Sequence, residues 1–547
     1  MFIKEQFIGR SSIIKLINKR LCDLSEGYRQ NIALLGNELT GKTWIIRYIL
    51  DSFSGHNILP LYFDLSQHLS QPQPYIFTHR FLTTVLFSYL KSMGRLLPKE
   101  NLARLIEEAH PFIPLTTAKI KEITANLKKD KIDIAAFREM LSVPEILYQE
   151  TKLNIVIVFD EFQNLESFKI RNVFEELGKK IMMQKHTMYV FSSSYPSRAK
   201  KIIHDELSLL FGSFEILTVN SFNNKTSHAL IKNRLKNKNI PDDIARFLIN
   251  FTGGHPFYLD KITQHLYQNL VLFNSETLTP FIFIYSLEEL LFNKWGTLHM
   301  RFQNYLSLLH ARQKSEIFTL LLLIAQGKNR IKDLSNSLHK THQDINQKLS
   351  RLIEANLLTR CGSFYSINDR LFGFWLNFVY AEKLSNLSQN YEDQVIAFRK
   401  KIEQSFLDFI EISKQDISQR LQELFTCFSN DAIKIERNIT TLARFKEIKP
   451  LIIGGKYITD GFLCACDDHD WIVGLKRGDI TEESVREFME KSKEFQKKDN
   501  AAKRIIIGLE ETELNARLLA KQTKILTWDK YNINFILDLY GKPRIIT

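Results

Sequence analysis

Covalent cross-links and membrane spans find little support in this chain. Cysteine is scarce: Cys22, Cys361, Cys427, Cys464 and Cys466 are the five in 547 residues. An odd number spread over so long a chain argues against a disulfide framework and fits a reducing, cytoplasmic compartment. Long hydrophobic runs are also missing. The longest predominantly apolar stretch, Phe318–Ala325, is far too short to cross a bilayer, and Met1–Arg10 has no apolar signal core. No membrane association is therefore expected. Internal repeats and low-complexity tracts are absent as well. Cys464 and Cys466 sit two apart on an expected strand with His469 behind them, but a second ligand pair that zinc would need is missing. The remaining composition is that of an ordinary globular protein, 44% hydrophobic and 25% charged, long enough for about two to four domains. A formal charge of +13 favours acidic partners such as nucleic acid, although the same excess also serves solubility alone.

Against that background one stretch stands out. Asn31–Ile46 reads NIALLGNELTGKTWII, an apolar run entering Gly36 and leaving through Gly41-Lys42-Thr43. This is the GxxxxGK[ST] spacing of a phosphate-binding loop. Gly36 permits a tight exit from a strand, and Gly41 lets backbone N–H groups approach phosphate oxygens. A helix starting near Lys42 points its positive end at the anion. Lys42 is expected to reach the β- and γ-phosphates, and Thr43 to offer its hydroxyl to Mg²⁺. The expected contact stretch is Gly36, Asn37, Glu38, Leu39, Thr40, Gly41, Lys42, Thr43 and Trp44. A second stretch, Asn154–Glu161 (NIVIVFDE), reads as a central parallel strand with acids at its carboxyl end. Ligands of open α/β sheets bind at that end. Asp160 is expected to hold Mg²⁺ through its water shell, and Glu161 to polarise the attacking water.

Taken in order, Ile58–Phe63, Thr187–Phe191 and Phe214–Val219 read as further strands, with helices over Ile76–Leu90 and Phe168–Met183. The mixed-charge insert Pro98–Glu150 reads as helical cover for the sheet. Strand and helix alternate, which predicts an α/β fold with a parallel sheet. Ser192-Ser193-Ser194 ends the strand expected beside the acid strand, where a hydroxyl either bonds the γ-phosphate or water or simply ends the strand. From Ser221 the strands stop and helices follow. Arg312–Tyr380 reads as a winged helix: Ser315–Ala325, Ile331–Leu338 and Thr341–Ala355, then a hairpin turning at Gly362. His342, Gln343, Asn346, Lys348 and Arg351 are expected to face outward on the third helix. That face suits either a major groove or a neighbouring protein domain. The aromatic run Leu371–Tyr380 reads as core.

Ser405–Thr547 forms a further unit, with a helix over Leu407–Phe428 and strands near Ile433–Glu436, Tyr457–Cys466, Trp471–Leu475 and Arg504–Ile507. Asp460 and Lys476 are laid out as in a metal-dependent nuclease, which needs a second carboxylate at position 474. That residue is Gly474, so cleavage is not expected.

These motifs together give a resemblance. The chain resembles the archaeal-type ATPases among the STAND P-loop NTPases, relatives of the origin-recognition ATPases. The resemblance rests on Phe7-Ile8-Gly9-Arg10, on Gly36–Thr43, on Asp160-Glu161-Phe162-Gln163 (a DEFQ motif) and on Gly254-His255-Pro256 (a GxP motif). It implies ATP, ADP and Mg²⁺ as ligands, with ATP preferred over GTP. It places Ile8, Gly9 and Arg10 near the base, makes Ser193 or Ser194 a γ-phosphate sensor, and has Pro256 couple a helical lid to the nucleotide. It implies a P-loop ATPase core at 1–220, a helical lid at 221–299, a winged helix at 300–385 and a nuclease-like α/β domain at 395–547. ATP binding is expected to shift how lid and winged helix sit, with duplex DNA as the expected partner and a protein partner or self-association as the alternative. Departures are visible too. Asn37-Glu38-Leu39-Thr40 has no basic residue, and Gly212-Ser213 stands where the family often has Gly-Arg, leaving Arg198 as a candidate replacement.

Overall fold

The computed structural model describes residues 8–52, 57–66, 74–95, 97–99, 101–127, 134–168, 170–207, 212–307, 314–385, 390–435, 438–467, 469–495 and 502–546. The chain divides into two compact units, Met1–Phe222 with His255–Phe257, and Asn223–Gly254 with Tyr258–Thr547.

The first unit is built on strands β1 (Asn31–Leu35), β2 (Ile58–Asp64), β3 (Asn154–Asp160), β4 (Thr187–Ser193) and β5 (Phe214–Thr218). They form one sheet in the order β2-β3-β4-β1-β5, every pair parallel. Every residue of β1, β3 and β4 is buried, as continuous apolar runs demand when both faces are covered. The edge strand β2 instead alternates between buried and partly exposed positions. Period-two alternation divides the strand side chains between two cores. Ala33, Leu35, Ile155, Ile157, Phe159, Tyr189 and Phe191 join one core, with the insert's Leu105, Ile120, Ile123 and Phe137. Ile32, Leu34, Val156, Val158 and Val190 join the other, under the helices Ser11–Ser25 and Lys42–Ser52. The insert thus covers one face. Where a helix was expected over Phe168–Met183, a 3-10 segment (Phe162–Phe168) precedes a helix that starts only at Val173.

The second unit begins with helices, including Asn224–Leu235, Asp242–Thr252 and Pro280–Leu291. A three-helix module follows: Lys314–Ala325, Ile331–Leu338 and His342–Glu354. Its antiparallel hairpin pairs β6 (Leu358–Cys361) with β7 (Phe364–Ile367). On the third helix Lys348 departs from expectation. It is buried and its ammonium lies 2.5 Å from Glu316, so it serves the module's interior. The aromatic run is core as expected: Leu371, Phe372 and Trp375 are fully buried. The helix expected over Leu407–Phe428 is two, Tyr391–Lys414 and Ile417–Thr426. Asp416 causes the break, its side chain accepting the Ser418 N–H as an N-cap.

The C-terminal part carries a small hairpin, β8 (Asp431–Ile435) with β9 (Asn438–Leu442), and a mixed five-stranded sheet. That sheet runs β10 (Glu447–Ile452), β11 (Asp460–Ala465), β12 (Trp471–Lys476), β13 (Lys503–Gly508) and β14 (Ile525–Trp528) in sequence order. The first two pairings are antiparallel and the last two parallel. Among the described residues no helix is long and apolar enough to cross a membrane.

Candidate functional site

The carboxyl ends of β1, β3 and β4 meet at one edge of the parallel sheet, and the motif residues meet with them. Gly36 follows β1 so closely packed that a Cβ would lie 2.3 Å from the Val219 carbonyl oxygen, so only glycine fits. Asn37, Glu38 and Leu39 are exposed, and the loop turns through Leu39 (φ 57) and Gly41 (φ 96), left-handed conformations that expose successive N–H groups. The Lys42–Ser52 helix starts there, and its first N–H groups have no acceptor within the helix. Thr40 closes the loop on itself by donating to the Asn37 carbonyl at 2.9 Å.

Lys42 is buried, and its ammonium donates to the carbonyls of Gly36 (3.0 Å) and Asn37 (2.8 Å) and to Ser194 Oγ (2.9 Å). Burial lowers its pKa, while the charges of Glu161, Asp160 and Glu38 oppose that shift. Thr43 donates its hydroxyl to Asp160 Oδ2 at 2.6 Å, and Tyr62 donates to the same oxygen at 2.7 Å. Asp160 Oδ1 is buried and has no hydrogen-bond partner among the described residues. A buried carboxylate oxygen with unmet valence is costly unless something cationic or donating completes it. The donor set therefore fits a hydrated divalent cation beside Thr43 and Asp160. Burial raises the Tyr62 pKa, reinforced by Asp160, so the phenol stays a donor.

Glu161 follows β3 in a left-handed conformation (φ 55), uncommon for a residue with a Cβ. That turn brings its carboxylate to the end of β4. It accepts from Ser194 N–H (2.9 Å), from Gln163 Nε2 (2.8 Å) and from the Ser194 hydroxyl. Ser194 therefore lies between Lys42 and Glu161. The Ser193 hydroxyl is used differently, accepting the Tyr195 N–H at 3.0 Å. The remaining residues bracket the loop. Arg10, itself left-handed, donates to the carbonyls of Thr40 (3.3 Å) and Asn220 and stacks 4.7 Å from the Phe222 ring; burial lowers its pKa to about 10. Ile8 and Gly9 are partly buried just before it, and Phe7 lies outside the described residues. His255 Nε2 donates to the Glu38 carbonyl at 3.1 Å, and Pro256 opens the helix that follows. The Trp44 side chain is largely exposed. Arg198, the candidate for a missing arginine, is ion-paired with Glu166 and Glu206. Sequence reasoning missed Tyr62, which sits inside a strand with no motif around it.

At the other candidate site, Asp460 is exposed and Lys476 lies over the Tyr457 ring at 5.4 Å. A Cβ at Gly474 would lie 2.8 Å from Phe488 and 3.0 Å from Ile458. Among the described residues no cluster of three or more His, Cys, Asp or Glu side chains is placed to hold a metal ion at this second site.

No protein-family model matches the chain. It is similar, at 26% identity over 224 residues, to an uncharacterized ATP-binding protein of Pyrococcus abyssi. The match takes in 38% of this chain and 63% of that relative's length, so the chain spans less than two thirds of it. Among solved structures, a Walker-type ATPase of Pyrococcus abyssi is similar over 68% of this chain and 97% of its own, with 16% identity and a TM-score of 0.46. The ORC2 protein of Aeropyrum pernix is similar over 74% and 97%, with 10% identity and a TM-score of 0.43. The ORC1 protein of the same organism, in complex with DNA, gives 68%, 92%, 12% and 0.38. With identities this low and TM-scores under one half, these structures say nothing of chemistry.

Proposed function

We propose that the chain is a Mg²⁺-dependent ATP-binding and ATP-hydrolysing switch, of the archaeal-type STAND kind, that acts with duplex DNA through a winged helix. The observation that carries the nucleotide reading is Asp160: one carboxylate oxygen holds Thr43 and Tyr62, and the other is buried without a partner among the described residues. Thr43 and Asp160 would hold Mg²⁺, which supplies charge neutralisation at the phosphates when bound. Lys42 brings its ammonium to the β- and γ-phosphates, and the loop N–H groups cradle them. Glu161 orients the attacking water and accepts its proton. Ser194 hydrogen-bonds both Lys42 and Glu161, so engagement of the lysine by phosphate alters what holds the glutamate. Arg10 and His255 fix the loop by its carbonyls. The similarity to an ATP-binding protein of Pyrococcus abyssi supports the adenine nucleotide.

The DNA side rests on charge and shape. The chain carries +13, and the third helix of the Lys314–Ile367 module exposes His342, Gln343, Asn346 and Arg351. The C-terminal sheet is read as a nuclease-like scaffold without activity, because Phe488 and Ile458 fill the place of the missing carboxylate.

A second reading has its own observation. Glu161 is held by three donors, and Arg198 is spent on Glu166 and Glu206. Such a site suits a scaffold that holds ATP and barely hydrolyses it, docking protein or DNA. Steady-state ATP turnover with Mg²⁺, with and without duplex DNA, separates the two. The switch predicts turnover that DNA stimulates and that Glu161→Gln abolishes with ATP affinity intact. Tight ATP binding without turnover in the unaltered chain overturns it in favour of the scaffold.

A further inference from the structure

A winged helix ordinarily has a free hairpin tip beside its third helix. In this chain the tip is covered from within the same unit. Gly362 turns β6 into β7 at φ +76, and a Cβ there would lie 2.1 Å from the Ala432 carbonyl oxygen of β8. Ser363 N–H donates to that carbonyl at 2.7 Å, and Ala432 N–H donates to Ser363 Oγ at 3.1 Å. Beneath the turn the two hairpins share a core: Cys361 and Phe364 cluster with Ile433, Leu442, Phe425 and Phe428. Arg330 clamps the seam, donating to both oxygens of Asp431 at 2.9 and 2.8 Å while lying 4.6 Å from the Phe364 ring. Tyr540 donates to Asp431 at 2.9 Å, and Asn329 to the Leu539 carbonyl at 2.6 Å. An apolar core closed by a bidentate ion pair is a structural joint. It is not a surface that releases to enter a groove.

Next to the joint lies a different exposed surface. Asn346, on the outward face of the third helix, accepts from Tyr365 OH at 3.1 Å. Arg360, paired with Tyr365 across the hairpin, holds its guanidinium 6.0 Å from that ring. Lys434 follows on β8, just beyond the Ala432 that holds the turn and exposed on the strand face opposite the buried Ile433. Arg360 and Lys434 are both exposed and have no ion-pair partner among the described residues. An unneutralised guanidinium beside a polar helix face, with a second exposed cation on the hairpin joined to it, fits phosphates flanking a groove.

Resting on the reading of duplex DNA as partner, we infer that the β6–β7 turn is a joint with the C-terminal part, and that Arg360, beside the third helix, and Lys434, on the hairpin joined to it, make the phosphate contacts. Duplex affinity of the full chain, read by fluorescence anisotropy over a salt series, tests this. Arg360→Gln and Lys434→Gln are each expected to reduce the salt slope by about one and to weaken binding several-fold. Both should keep the unaltered chain's ATP turnover measured without DNA, since neither lies in the nucleotide site. Ser363→Ala, at the tip, is expected to leave the slope unchanged. Unchanged slopes in both glutamine variants, with duplex still bound, overturn the inference and keep the DNA reading. No duplex binding by the unaltered chain at low salt removes the DNA reading, and this inference with it.

Discussion

Two sheets in this molecule bring an acid at a strand end together with a lysine, Asp160 with Lys42 and Asp460 with Lys476, and they differ in what each leaves buried. On the parallel sheet, Asp160 ends β3 in register with Ser192 and Asp64, and keeps one buried oxygen without a partner among the described residues. On the mixed sheet, Asp460 opens β11 in the open, hydrogen-bonded to the neighbouring Thr459 hydroxyl at 3.0 Å. Glu487, half-buried on the helix Glu482–Lys491, is consumed by three backbone N–H groups, those of Lys456, Tyr457 and Ile458. Lys476 rests on an aromatic face. Residue type and spacing are similar in kind at the two places. What separates them is whether charge is left buried with unmet valence, which costs energy that a ligand repays.

The strongest way to break this contrast is to remove the cation of the credible site. Lys42→Ala is expected to lower Mg²⁺-ATP affinity by about a hundredfold or more, since charge-assisted bonds to phosphate are lost together. Calorimetric titration measures it, and near-normal affinity would sink the nucleotide reading.

Next in size is an attempt to repair the poor site. Gly474→Glu restores the carboxylate that a nuclease needs, but its side chain must enter space held by Phe488 and Ile458. The expected result is a loss of about 3 kcal/mol in stability, from overpacking and a buried charge, without any Mg²⁺-dependent cleavage. Urea unfolding and a plasmid-nicking assay read the two parts. A stable variant that cleaves DNA would mean the scaffold was one residue from activity.

The parallel sheet was legible because its evidence is local. Continuous runs such as Ile155–Phe159 predict strands buried on both faces, and Gly36 and Gly41-Lys42-Thr43 mark the strand-to-helix turn. The C-terminal part was harder to read. Strands β9, β10 and β14 are short and leave no clear apolar run, and in β10 the exposed pair Lys449-Pro450 interrupts any alternation. The break at Asp416 depends on a cap that competes with a favourable helical pattern on both sides. Lys348 carried the pattern of an outward residue, and only tertiary placement of Glu316 turned it inward. Within the site, motif residues could be named in advance, whereas the division of labour between Ser193 and Ser194 depends on backbone geometry at the strand end.

Tyr62 gives the smallest effect and the finest test of the contrast. Its hydroxyl reaches Asp160 from β2, the strand next to β3, and so from outside the phosphate loop in sequence. If unmet valence on Asp160 Oδ1 is what makes the site, then the group that fixes the carboxylate's orientation should matter for the cation and not for the fold. Tyr62→Phe removes one hydrogen bond to a charged oxygen that still accepts from Thr43, a net change of about 1 kcal/mol. The expected outcome is about a fivefold rise in the Mg²⁺ concentration that half-maximally supports ATP binding. Binding measured in excess chelator, and the urea midpoint, should stay the same. A purely structural tyrosine would instead shift the urea midpoint and leave the Mg²⁺ titration where it was.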